Sequence, residues 1–170
     1  FGIDSTHTVR FNAGRLEFAH PCGIRYELVG VENDPRPAIV IDGISADVGI
    51  RGVHGATVSV RDRDIMDEFM GQGFGWQKTG DEGGHIQYEG GDGGSGRVIE
   101  TVHEPDLPQG SWTFGAATVH HCAFTVGSAE EQQKVKDYLE GIGYTDVSDS
   151  KHRNYFHSIY VRTPGATLFE

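Results

Sequence analysis

The stretch VHHCAFTVGSAEEQQKVKDYLEGIG, residues 119–143, carries two periodicities in succession. Over 119–126 apolar and polar residues alternate, the pattern of a half-buried strand. At Ser128 the pattern changes. Ser128 and Glu131 form an S-x-x-E capping box, Val135, Tyr138, Leu139 and Ile142 recur at helical spacing, and Gly141 and Gly143 mark the stop. Three short β-patterned segments follow at 144–148, 155–162 and 167–170, so the unit reads strand, helix, three strands.

The same order appears earlier in the chain. Residues 53–60 (VHGATVSV) alternate, a helix begins after Asp62 with Ile65, Met66, Phe69 and Met70 as its apolar stripe, and strands are expected at 74–79, 85–89 and 97–103. The tract GGDGGSG at 90–96 has no helix after it, so it reads as a mobile hairpin loop and not as a phosphate cradle. A third copy survives in part: FAHPCGIRYE ending at Glu27 matches VRTPGATLFE ending at Glu170, each with Pro six positions before Glu. The expected architecture is α+β, tandem βαβββ modules forming curled mixed sheets. Its division is the closing strands of a preceding module at 1–30, a linker at 31–50, a whole module at 51–105, a linker at 106–117 and a last module at 118–170. The first residue is Phe1 and the last, Glu170, follows an apolar stretch, so a piece of a longer polypeptide is expected.

Composition limits the partners. The formal net charge is −11, from 14 basic and 25 acidic residues, which argues against a nucleic-acid binder, since phosphates need a basic face. Hydrophobic residues make up 36% of the chain, enough for a sizeable core. No run approaches the roughly 18 apolar residues of a membrane span, and the first segment lacks the features of an export signal. Cys22 and Cys122 are far apart and outside any C-x-x-C spacing, so neither a thiolate zinc site nor a disulfide is expected, and a cytoplasmic location is the default.

His120 and His121 are adjacent, and neighbouring side chains on a strand point to opposite faces. With Cys122, Phe124 and Val126 toward the core, His120 is expected on their side and His121 on the concave face. Glu170 closes the same unit on its last strand, which in a βαβββ unit lies beside the first. One imidazole and one carboxylate then converge. A 2-His-1-carboxylate iron(II) centre needs a second imidazole and keeps open positions for substrate and oxygen. Aligning 53–60 with 119–126 sets His54 opposite His120 and Gly55 opposite His121, so His54 is on the wrong face. Glu27 finds no imidazole on its facing strand, and the pairing of the first two units reads as a vacant relic.

The segments HEPDLPQGSW, VHHCAFTV, RNYFHSIYVRTPG and LFE, in this order and spacing, resemble the hydroquinone-cleaving ring dioxygenases of the vicinal oxygen chelate superfamily, and the likeness spans nearly the whole chain. The resemblance implies four βαβββ units, with iron(II) held by a His of the first and a His and a Glu of the fourth. It implies His121 and Glu170 as metal ligands and His120, Arg153 and Tyr160 as residues lining the substrate pocket. Fe(II) is the expected cofactor, with Mn(II) as the other option, and the expected partners are a small aromatic substrate and O2. The unit that would supply the further His is not in this sequence, so pairing with such a module or with a second copy is expected. Two neutral imidazoles and one carboxylate leave iron(II) with one residual positive charge, which favours an ionised phenol oxygen as the next ligand. His120 or Tyr160 could transfer protons, and Arg153 could hold an anionic oxygen.

Plainer readings stand beside these. Tyr160 and Arg153 read also as a buried phenol and a surface guanidinium, and His120 as a core histidine bonded to backbone. His7, His20, His85, His103, His152 and His157 lack mutual ligand spacing and read as solvated or locally bonded. Trp76 and Trp112 fill core or interface space, with Trp112 also placed to border the pocket. On the same scaffold, catechol cleavage, glyoxalase-type isomerisation and metal-free binding of an aromatic ligand are the alternatives.

Overall fold

The computed structural model describes residues 2–108, 115–116 and 118–170. Trp112 and part of the segment before the last unit lie outside the described residues.

Strands β1 (Ser5–Arg10), β2 (Ala13–Ala19) and β3 (Arg25–Val29) form an antiparallel meander. The β1–β2 turn places Phe11 and Asn12 at φ 52° and 58°, the left-handed pair of a two-residue hairpin. Phe at such a position is strained. It is held there from outside: Phe11 packs against Gly80, where a Cβ would strike its ring, and the Phe11 N–H donates to Glu82 Oε1 at 2.6 Å. Period two persists in this sheet, but the sheltered face is the charged one, carrying Arg10, Arg15 and Glu27, while Val9, Tyr26 and Leu28 are exposed.

The next sheet has the order β4 (Gly55–Val60), β7 (Val98–His103), β6 (His85–Glu89), β5 (Gln77–Glu82). First and last strands of this unit lie side by side and parallel, with Ala56 opposite Ile99. Helix α1 (Arg63–Glu68) starts at Asp62, whose carboxylate accepts from the N–H groups of Asp64 and Ile65, and continues into a wide π-type turn, Phe69–Gly73. Met66, Phe69 and Met70 are buried as their spacing implies, whereas Ile65, on the edge of the stripe, is exposed. The glycine tract is tied down, not loose. Gly96 N–H donates to His54 O at 2.7 Å, Gly94 N–H to Glu89 Oε2 at 2.9 Å, and Trp76 leaves no space for a Cβ at Gly90.

In the last unit, α2 (Ala129–Gly141) is capped by Ser128, which accepts from Glu131 N–H. The strands expected around it are shorter than their periodicity suggests: β8 (Lys151–His152) pairs with β9 (His157–Ser158), and β10 (Val161–Arg162) with β11 (Leu168–Phe169). Among the described residues, 119–126 pair through the Cys122–Phe169 bridge, with three backbone bonds between 122–124 and 168–170, too few for a continuous ladder. The segment 144–148 forms no strand; Ser148 meets Tyr160 through one backbone bond, Ser148 N–H to Tyr160 O at 2.8 Å, and through its hydroxyl, which accepts from Tyr160 N–H at 3.0 Å.

One core joins the last two units. Phe69, Phe74, Phe124, Tyr144, Trp76 and Phe169 meet edge-on or tilted between α1, the β4–β7 sheet and β11, with Leu139 of α2 closing one side. Such aromatic contacts add to burial because ring edges meet ring faces. Among the described residues no helix is long and apolar enough to cross a membrane.

Candidate metal centre

Phe169 is fully buried and Cys122 and Phe124 pack against the same core, so the residues flanking this pair turn the other way. Cys122 N–H donates to Leu168 O, Glu170 N–H to Cys122 O and Phe124 N–H to Glu170 O, all within 3.0 Å. This short parallel contact brings His121 Nε2 to 2.6 Å from Glu170 Oε2. The Glu170 side chain is only 9% exposed, and its second oxygen, Oε1, is buried without a hydrogen-bond partner. A buried carboxylate oxygen left without a donor is costly. An imidazole nitrogen and a carboxylate oxygen suit a first-row divalent ion such as iron(II) or manganese(II), and a bound cation would satisfy the orphaned oxygen. Two ligands are short of a complete set. Among the described residues no group of three or more His, Cys, Asp or Glu side chains is placed to hold a metal ion.

His120 does not sit on the core side, as strict alternation would have it. It is exposed, and its Nδ1 lies 2.7 Å from Nδ1 of His121. The reason is local: residues 119–121 precede the Cys122 bridge and belong to no strand, so their side chains are not held to alternating faces. One of those two nitrogens donates and the other accepts. With the His121 Nε2–H donating to Glu170, the donor between the rings is His120. Val126, expected to face the core, is likewise exposed. Cys122 does face inward, and burial raises its thiol above the ordinary value, which keeps it protonated beside the site.

Tyr160 stands edge-on to His121, with ring centroids 5.9 Å apart. The Arg153 guanidinium donates to the Tyr160 hydroxyl at 3.1 Å and lies over the phenol ring, 5.3 Å from its centroid. Five residues named from sequence, His120, His121, Arg153, Tyr160 and Glu170, thus form one connected group. Lys151 joins them, its Nζ 5.9 Å from the Tyr160 ring centroid. Sequence reasoning passed over it, although Lys151 and Arg153, two apart, alternate onto one side. His152 and His157 turn out to be cross-strand partners with ring centroids 4.9 Å apart, a relation their sequence spacing did not suggest. His85 bonds locally to the Gly83 carbonyl and His103 to the distant carbonyl of Arg61, and Trp76 packs in the core against Phe124.

His54 takes no part in this group; its Nδ1 is 2.9 Å from Ser95 Oγ. Burial first, then the charge of Arg15, lowers its pKa. Nor is the place where Glu27 sits vacant. Arg10 and Arg15 both donate to Glu27 and to Glu100 there.

No family model matches this sequence. Chlorohydroquinone/hydroquinone 1,2-dioxygenase of Sphingobium indicum is 38% identical over 163 residues, which is 95% of this chain and 51% of that protein. The crystal structure of a Bacillus subtilis protein described as a dioxygenase superposes with a TM-score of 0.85 at 31% identity, covering 99% of this chain and 53% of that one. A glyoxylase/bleomycin resistance protein/dioxygenase domain from Frankia sp. shares the fold at a TM-score of 0.62 and 14% identity, over 71% of this chain and 95% of that one. The chain spans about half the length of the curated relative and of the Bacillus protein. In sequence the chain is similar to ring-cleaving dioxygenases, and its fold is that of glyoxalase, bleomycin-resistance and dioxygenase proteins.

Proposed function

We propose that this chain is the part of a ring-cleaving dioxygenase for hydroquinones, chlorinated ones included, that carries one imidazole and the carboxylate of its metal centre. The observation that carries this reading is the contact of His121 Nε2 with Glu170 Oε2 beside the Arg153–Tyr160 pair. The metal would be iron(II), with manganese(II) as the other option, held here by His121 and Glu170 and completed by an imidazole from a further βαβββ unit. When bound, it would supply Lewis-acid activation of a phenol oxygen and of O2. We place the modules at 51–105 and 118–170, and the protein in the cytoplasm, in keeping with two free cysteines.

The chain's own residues orient and move protons. Arg153 donates to the Tyr160 oxygen, so the phenolic hydrogen turns away from the guanidinium and toward a substrate oxygen. Tyr160 Oη can give that proton to an oxygen on which charge develops, and Arg153 steadies the phenolate left behind. His120, bonded to His121, fixes the tilt of the ligand ring.

The test is anaerobic loading with iron(II) of the full-length protein containing this chain, then O2 with either hydroquinone or catechol. Consumption of hydroquinone and O2 in equal amounts is expected. Loss of catechol in preference would move the reading to catechol cleavage. Quenching of tryptophan fluorescence by ligand without uptake of O2 would make the protein a binding module instead.

A further inference from the structure

Ile159 and Val161 pack into or against the core, so Ser158 and Tyr160, which alternate with them, turn to the other side, where Tyr160 meets His121. On the facing strand of the hairpin Lys151 stands directly opposite Ser158, and directly opposite residues of an antiparallel pair share a face. Arg153 joins that face with its guanidinium over the Tyr160 ring. The hairpin is fastened to α2 by Gln132, which donates through Nε2 to His157 O at 3.0 Å and accepts from Ser150 Oγ at 3.2 Å.

This face is rich in donors and poor in acceptors. Lys151 Nζ and Arg153 Cζ lie 5.9 and 5.3 Å from the centroid of the same ring, so two like charges are held near one phenol, which costs energy unless an anion lies with them. Among the described residues neither pairs with a carboxylate. The chain has 25 acidic residues against 14 basic ones, and Arg36, Arg63, Lys78 and Lys136 each reach one. Ser158 adds a further donor: it is 3% exposed, and its Oγ is buried without a hydrogen-bond partner. A sheltered hydroxyl in that condition wants an acceptor.

We infer that Lys151, Arg153 and Ser158 form a subsite for a carboxylate carried on the substrate ring, and that Lys151 is the residue that sets this preference. The inference rests on the dioxygenase reading and narrows its substrates to hydroquinones bearing an acidic substituent. A carboxylate offers two oxygens with lone pairs to spare; Lys151 Nζ reaches one from a flexible stem, Arg153 the other through an N–H that Tyr160 does not use, and the Ser158 hydroxyl completes the set. A neutral substituent leaves both charges uncompensated, so the subsite discriminates by charge more than by size. Arg153 also serves Tyr160. Lys151 does not, so its removal separates the subsite from proton transfer.

The test uses the full-length protein containing this chain, loaded anaerobically with iron(II), and two ring ligands of one shape, 2,5-dihydroxybenzoate and its neutral amide, 2,5-dihydroxybenzamide. Affinities are measured by calorimetry without O2, so the readout does not depend on turnover. The wild type is expected to prefer the carboxylate about tenfold, the size of one charge-assisted hydrogen bond, and the preference should shrink as salt is raised. Lys151→Met should abolish most of it and Lys151→Arg restore it, while Ser158→Ala weakens the carboxylate more than the amide. Equal affinity of the wild type for the two ligands, or a preference that Lys151→Met keeps, would overturn the inference. Uptake of O2 with hydroquinone, followed in parallel, keeps the two readings apart. Uptake without the preference removes the subsite and leaves the dioxygenase, whereas a preference that depends on Lys151 without uptake supports the subsite and removes the dioxygenase.

Discussion

At the scale of single residues, the site depends on which side of a short parallel contact each group leaves. His121 and Glu170 flank the Cys122–Phe169 bridge and reach each other on the face away from the core. His121→Ala should release iron(II) from the loaded protein while His54→Ala retains it, as metal analysis after desalting would record; the reverse would assign the ligand to the other imidazole. Tyr160→Phe removes the phenolic proton that we propose is transferred and leaves the ring against His121. A fall in kcat of roughly 10²–10⁴-fold with metal content unchanged is expected, the usual range for a lost general acid or base. That His121 meets Glu170 and His54 does not was legible from the aligned repeats. The place of His120 was not, because residues 119–121 belong to no strand and alternation holds only along a pleat.

At the scale of elements, both helices begin where the sequence says they should, since a capping side chain needs only its own neighbours. Asp62 and Ser128 each accept from N–H groups of the first turn. Replacing Ser128 with Ala should cost about 1 kcal/mol, measured by urea unfolding, the common loss for a cap. The strands of the last unit were over-read. Residues 144–148 and 155–162 have the composition of strands, but a strand also needs partners in register, and here a serine hydroxyl takes a place in the ladder. The front meander shows a related limit: its period of two is plain in sequence, yet its charged side is the sheltered one, because the opposing surface carries Glu100.

At the scale of the whole molecule, one aromatic core and one ionic cluster hold three pieces of sheet together. Phe169 meets the rings of Phe69, Phe74 and Phe124 and sits one residue from Glu170. Phe169→Ala should destabilise the chain by about 3–5 kcal/mol and loosen the candidate metal site with it, seen as a lower thermal midpoint together with weaker iron(II) retention. The front half should also be acid-sensitive. Burial alone would raise the Glu27 pKa, but hydrogen bonds from Arg10 and Arg15 outweigh it and lower the value. The stability this supplies is fully present above the unfolded value of about 4.3 and is lost as pH falls through the folded one. His54, lowered by burial, adds an earlier step: the unfolded chain takes up a proton near about 6.5 that the folded chain refuses, so stability declines as pH drops below that point. Urea midpoints between pH 7 and 3 should show both steps, the upper one missing in His54→Gln. Sequence by itself determined the periodicities, the caps, the repeat ending in Glu27 and Glu170, and the faces of His121 and His54, because each is set by residues near one another along the chain. Only the tertiary structure decided that His120 leans on His121, that Lys151 joins Tyr160, and that Arg10 and Arg15 fill the space between Glu27 and Glu100. Those contacts bring together residues whose meeting depends on how separate strands dock, and no local pattern records that.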